Sequence, residues 1–261
     1  MWKAARQRSR RSAGGLFPAD VIGIDEPGYP ANLRSIPFPP KVLWVRGALP
    51  PVGAVAIVGT RHPTRFGRSV AHAAACSAVA AGLAVISGLA AGIDTVAHES
   101  ALAAGGRTWA VLGSGVDVPT PVSNAVLAEE IVASGGGLLA EVPPGTPVGR
   151  RHLVARDRIQ SGLSLAVVIC QCEISSGAMH TARFAAIQGR LLVVVRPRGP
   201  GRAVTACTGN VALADPNGCD PALLSATGKT AELIRARRPM ADVVIDSRDE
   251  LAELLERLQP G

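Results

Sequence analysis

The residues with chemical potential in this chain sit in short glycine-rich turns. Gly59-Thr60-Arg61 follows one apolar run, and "SGLAAGID", Ser87 to Asp94, follows the next. "GSG" at Gly113 to Gly115 and Ser176-Gly177 come after later runs. Glycine lets the backbone approach a ligand closely, and N–H groups at a helix start carry positive partial charge. This residue set suits an anion, phosphate above all. The segment Gly149 to Ser164 adds Arg150, Arg151, Arg156 and Arg158, and arginine holds phosphate through two parallel hydrogen bonds. The candidate phosphate-binding residues are therefore Gly59, Thr60, Arg61, Ser87, Gly88, Leu89, Gly92, Asp94, Gly113, Arg150, Arg151, Arg156, Arg158, Ser176 and Gly177.

Other chemistries find less support. "GTRHPTRFG" lacks the GxGxxG of a dinucleotide site, and no Lys-Ser/Thr pair follows "SGLAAGID" as in a P-loop. His62, His72, His98, His152 and His180 show no metal-ligand spacing. Cys76, Cys170, Cys172, Cys207 and Cys219 form no CxxC pair and read as reduced thiols. Ser87 and Ser176 precede glycine, but neither lies in GxSxG. Glu141 and Glu173 end apolar runs, where each could serve as a base or cap a helix. No catalytic set, metal or cofactor is predicted.

The elements that must position these turns are legible as an alternation. The apolar runs "AVAIVG", "LAVISG", "TWAVLG", "GLLAE", "LAVVIC" and "LLVVV" are short and continuous, the signature of strands buried on both faces of a parallel sheet. Helical segments lie between them: Arg68 to Ala81, Thr95 to Ala104 behind a cap at Asp94, Ser123 to Ser134, and Gly177 to Gln188. A helix beginning near Arg151 would put residues 151, 155 and 158 on one face. The whole predicts an open α/β fold, with a mostly parallel sheet and helices on both faces. Its glycine turns would then share the carboxyl edge of the sheet, where such sheets bind ligands.

Three regions are predicted along the chain. Residues 1–20 read as a disordered basic arm, and 21–53 as a short extension packed on the core, with "KVLWVRG" as an edge strand. Residues 54–261 form the core, with an irregular segment over 196–240 and a terminal strand and helix capped by Ser247 and Glu250. Apolar residues make up 48% of the chain and aromatics 3%, so the core must be built from small aliphatic side chains. There are 27 Lys and Arg against 20 Asp and Glu, a net charge of +7 that favours a polyanion partner such as nucleic acid. No apolar run reaches membrane-spanning length, and the N-terminus lacks a secretory core, so a cytoplasmic protein without membrane contact is expected.

Taken in order, the motifs resemble the DNA-processing protein A family, DprA or Smf. The resemblance rests on "GTRHPTRFG", on "SGLAAGIDTVAHESAL" from Ser87 to Leu102, and on "RDRIQSGLSLAVVI" and "SSGAMHTARFAAIQGR". It runs from about Tyr29 to Arg190. It implies an extended Rossmann-like fold and cooperative binding of single-stranded DNA without an established reaction. It also implies a homodimer and loading of the RecA recombinase in recombination and natural transformation, the competence pathway. On this view Arg61 is a principal phosphate contact, and Arg150 stands where the family often has lysine. The family's Phe-Pro-x-Arg-Asn-Arg-Ile reads here Leu153-Val154-Ala155-Arg156-Asp157-Arg158-Ile159, which removes a base-stacking aromatic and adds a negative charge. Two alternatives share the fold: a nucleotide phosphoribohydrolase-like enzyme, whose glycine loop "VPPGTP" matches only in part, and a nucleotide-sensing module.

Overall fold

Small aliphatic residues dictate the architecture of the computed structural model, which describes residues 19–197 and 205–258. The N-terminal arm through residue 18 lies outside the described residues. Nine strands form one sheet: β1 (Asp20–Gly23), β2 (Val42–Gly47), β3 (Ala54–Val58), β4 (Ala84–Ser87), β5 (Thr108–Leu112), β6 (Gly137–Ala140), β7 (Ala166–Ile169), β8 (Leu191–Val195) and β9 (Val243–Ile245). Every residue of β3 to β7 is buried, as their continuous apolar runs require. The order is β1-β2-β6-β5-β4-β3-β7-β8-β9. From β6 to β9 all pairs are parallel, whereas β2 joins β6 and β1 joins β2 antiparallel. The sheet is thus α/β, mostly parallel and Rossmann-like. "KVLWVRG" proves an interior strand rather than an edge, because β1 covers its outer side.

The helices are α1 (Ala31–Arg34), α2 (Arg65–Ala80), α3 (Ile93–Ala103), α4 (Ala125–Ala133), α5 (Arg150–Leu163), α6 (Ala178–Gln188), α7 (Thr208–Ala214), α8 (Gly228–Ala236) and α9 (Arg248–Glu256). One face of the sheet packs α2, α3 and α9 through Ala71, Ala74, Ala75, Ala78, Ala97 and Leu251. On the other face α5 packs under β3, β4 and β5, and α6 under β7 and β8. Alanine at the contacts lets helix and sheet backbones come close.

Several helix starts differ from expectation. Thr64 caps α2 by accepting from the Gly67 amide, so this helix begins three residues before the expected Arg68. Gly92, not Asp94, precedes α3, and Ser123 lies in a 3-10 turn before α4 rather than capping it. Residues 205–240 are not irregular throughout: α7, a 3-10 turn over Pro221–Leu224 and α8 bury Leu213, Leu224 and Ile234 against the α6–β8 side. Ser247 does accept from the Glu250 amide at the start of α9, as the sequence predicts.

Candidate phosphate-binding site

The chain leaves β3 at the centre of the sheet. The strands before it in sheet order wind one way and β7 to β9 wind the other, so a crevice opens beyond the carboxyl ends of β3 and β7. A cavity of about 450 Å³ occupies this switch point. Gly59, Thr60, Arg61, Asp94, Arg150, Arg156, Ser176 and Gly177 all line it.

Backbone contacts hold the Gly59-Thr60-Arg61 turn from two sides. The Thr60 amide donates to the Gln171 carbonyl at 2.7 Å, just beyond β7. The Thr60 carbonyl accepts from the Ile93 amide at 3.1 Å, at the start of α3. Gly92 makes this possible: its φ is +90°, and a Cβ there would stand 2.6 Å from the Arg61 carbonyl oxygen. The Thr60 hydroxyl oxygen accepts from the His62 amide at 3.2 Å, which leaves its proton to donate. Gln171 braces the end of the loop, accepting from both the amide and the hydroxyl of Thr64 at 3.0 and 3.1 Å. Arg61 itself is exposed and has no hydrogen-bond or ion-pair partner among the described residues.

The second loop supports the first. Ser87 is fully buried and donates to the Ile57 carbonyl at 2.7 Å. Leu89 is fully buried in the core beside α4, in a left-handed backbone with φ +59°. Asp94 sits inside the first turn of α3, and its carboxylate accepts from the Gly88 and Ala90 amides at 3.1 and 3.3 Å. Asp94 therefore folds the loop back on itself rather than capping the helix. Burial raises its carboxyl above the usual range, against the pull of Arg156. Ser87, Gly88, Leu89 and Gly92 build the wall behind the cavity and do not line it. Gly113 likewise lies outside it, packed under Leu153.

The four arginines of the basic segment divide into two pairs. Gly149 precedes α5, so Arg150, Leu153, Val154, Asp157 and Gln160 fall at helical spacing on the cleft face. Arg151 is exposed on another face, away from the cavity. Arg158 also turns away: it donates to Glu141 at 2.6 Å and to the Phe38 carbonyl at 2.9 Å. Arg156 reaches the cavity floor but is buried, donating to the carbonyls of Gly88 at 2.9 Å and Val111 at 2.6 Å and to Asp157 at 2.9 Å. Its guanidinium lies where a side chain on Gly88 would be. Burial pushes the Asp157 carboxyl up to about 7, opposed by Arg156 and aided by Asp94. His98, beneath this cluster, is pushed down to about 3 by burial and by Arg156, and it shares a hydrogen bond with Thr108.

On the far wall, Ser176 and Gly177 open α6, and the N-termini of α5 and α6 both meet the cavity. Sequence reasoning missed Gln171, Gln160 and Thr181 as parts of the site. A polar residue directly after the β7 run was the signal for Gln171. His180 lines the cavity with its pKa lowered by burial and by Arg183 and Arg150. Among the described residues no group of three or more His, Cys, Asp or Glu could hold a metal ion, and no helix is long and apolar enough to cross a membrane.

A family model described as DNA recombination-mediator protein A matches residues 20–219. Protein Smf of Synechocystis is 43% identical over 167 residues, 62% of this chain and 42% of that protein. The DNA processing protein DprA of Bacillus subtilis is 37% identical over 179 residues, 67% of this chain and 60% of that protein. The chain thus spans about half the length of these relatives. The X-ray structure of DNA processing protein A from Streptococcus pneumoniae superposes with a TM-score of 0.70 at 28% identity, covering 96% of this chain and 77% of that one. A structure of the Helicobacter pylori protein, solved for its single-stranded DNA binding mode, superposes equally well at 24% identity, covering 94% and 99%, and is similar in fold.

Proposed function

The chain belongs to the DNA recombination-mediator protein A family, and from that premise we propose that it binds single-stranded DNA without catalysing a reaction on it. Backbone phosphates would occupy the cleft between Gly59-Thr60-Arg61 and the start of α6. One observation carries the reading: Arg61 and Arg150 line a single cleft, and neither has an ion-pair partner among the described residues. Free arginines beside two helix N-termini favour a phosphate anion. Gln160 supports the same reading, since it lines the cleft and its buried Nε2 has no partner among the described residues.

Gly59, Thr60, Arg61, Arg150, Ser176 and Gly177 are the proposed contacts. Ser87, Gly88, Leu89, Gly92, Asp94, Gly113 and Arg156 would act by holding them in place. Asp94 and Asp157 are buried and engaged in these supports, which favours binding over acid–base chemistry at the site. The phosphoribohydrolase-like alternative is accordingly weaker.

The family's description as a recombination mediator supports a role beside a RecA-type recombinase in recombination and DNA uptake. A homodimer working in the cytoplasm fits that role. A labelled oligo-dT and a duplex of equal length test the reading by fluorescence anisotropy across salt concentrations. Tighter, salt-sensitive binding of the single strand is expected; release of free base from a nucleotide, with no oligonucleotide binding, would overturn it.

A further inference from the structure

A second cavity, of about 240 Å³, is lined by the part of α6 that follows the residues lining the cleft. Thr181 lines the first cavity, and Arg183, Phe184 and Ile187 line the second. Phe184 lies three positions beyond Thr181, about 4.5 Å of rise along the helix. On the facing helix, Asp157 lines the cleft and its neighbour Arg158 lines the second cavity. His180 lines the cleft one helical turn before Phe184, with its Nδ1 unpartnered among the described residues and Arg150 and Arg183 both acting on it.

The lining is unusual for an ordinary surface. Phe38 closes one side while 85% exposed, in a chain with only four phenylalanines. Its backbone is left-handed, with φ +57°, a conformation a bulky residue adopts only when its surroundings impose it. Arg158 donates to the Phe38 carbonyl at 2.9 Å, and Gln188 donates to the Arg158 carbonyl at 2.9 Å. Across the cavity, the Arg183 guanidinium lies 4.8 Å from the Phe184 ring centroid. Arg183 donates to the carbonyls of Leu224 and Ser225 and has no ion pair among the described residues. An aromatic ring held out to solvent, a second aromatic and a guanidinium without an ion-pair partner among the described residues thus surround one small apolar space.

We propose that this furrow, set between α6 and the segments carrying Phe38 and residues 225–230, binds an unpaired nucleobase of the strand whose phosphates lie in the cleft. The inference rests on the single-stranded DNA reading. Its occupant follows from continuity with the cleft and from charge: a base stacks on an aromatic face, while Arg183 and Arg150 attract the connecting phosphates.

Anisotropy with labelled oligo-dT and with an abasic strand of equal length tests it on Phe38→Ala, Phe184→Ala and Arg61→Ala. Phe38 is exposed, so its replacement should not disturb folding. The two phenylalanine variants should bind oligo-dT about tenfold more weakly, bind the abasic strand like the wild type, and keep the wild-type salt dependence. Wild-type affinity for oligo-dT in both variants, with Arg61→Ala impaired, would overturn the base site and leave the cleft standing. Equal losses on both strands would also overturn it, as would a fall in sedimenting mass in Phe38→Ala, which would mark the furrow as a contact between copies. Failure of the wild type to bind either strand would instead sink the DNA reading itself.

Discussion

The carbonyl of Thr60 accepts a hydrogen bond from the amide of Ile93 at 3.1 Å, fastening the turn after β3 to the N-terminus of α3. The contact exists because Gly92 has no side chain and adopts φ +90°. Gly92→Ala should cost about 1–3 kcal/mol from backbone strain alone, with the overlap at Arg61 added. Urea unfolding should show the loss, and oligonucleotide binding should fall with it because the Arg61 turn is displaced. A variant with wild-type stability and affinity would contradict the close packing of the two loops.

Arg156 joins the supporting wall to the cleft floor. Removing it would leave Asp157 buried beside Asp94, and the carbonyls of Gly88 and Val111 without their donor. Above pH 7, where Asp157 is ionised, Arg156→Ala should therefore destabilise the fold by about 3–5 kcal/mol. The wild-type protein and Arg61→Ala should unfold together, since Arg61 is exposed and unpaired. If Arg156→Ala unfolded like the wild type and lost only DNA binding, Arg156 would be a ligand contact instead.

Asp157 should make the protein pH-sensitive. Burial holds its carboxyl near 7, whereas an unfolded aspartate titrates near 4. Between those values the folded chain keeps a proton that the unfolded chain has lost, so stability falls as pH rises through this window. The same proton removes one carboxylate charge facing Arg156, so an anion should bind more tightly below about 7 than above it. Asp157→Asn should flatten both dependences and retain the tighter binding. A residual slope of the same sign would remain from Asp94, whose carboxyl is also raised. Parallel pH profiles in variant and wild type would exclude Asp157 as their source.

The parts of this site that were legible in the sequence are those fixed by backbone and burial. Strands covered on both faces leave uninterrupted runs such as "AVAIV" and "LAVVI", and the glycine turns follow at fixed places. The direction of the arginines was not legible, because it depends on the phase of α5. A cap at Gly149 turns Arg150 into the cleft and Arg151 and Arg158 out of it. The role of Asp94 was hidden for a related reason: a carboxylate near a helix start reads as a cap, and only the folded-back loop brings the Gly88 and Ala90 amides to it. Helices α7 and α8 escaped detection because they are short and each has a Gly and a Thr in its first turn. Their stability comes from burying Leu213 and Ile234 rather than from local propensity.

Arg61 carries the central claim, and a salt titration tests it most directly. The logarithm of the oligo-dT association constant should fall linearly with the logarithm of salt concentration in the wild type. In Arg61→Ala the line should lie lower at every salt concentration, with a slope shallower by about 0.7, the loss of one phosphate contact on a single strand. Coincident lines for the two proteins would show that no phosphate rests on Arg61 and that the polyanion binds elsewhere.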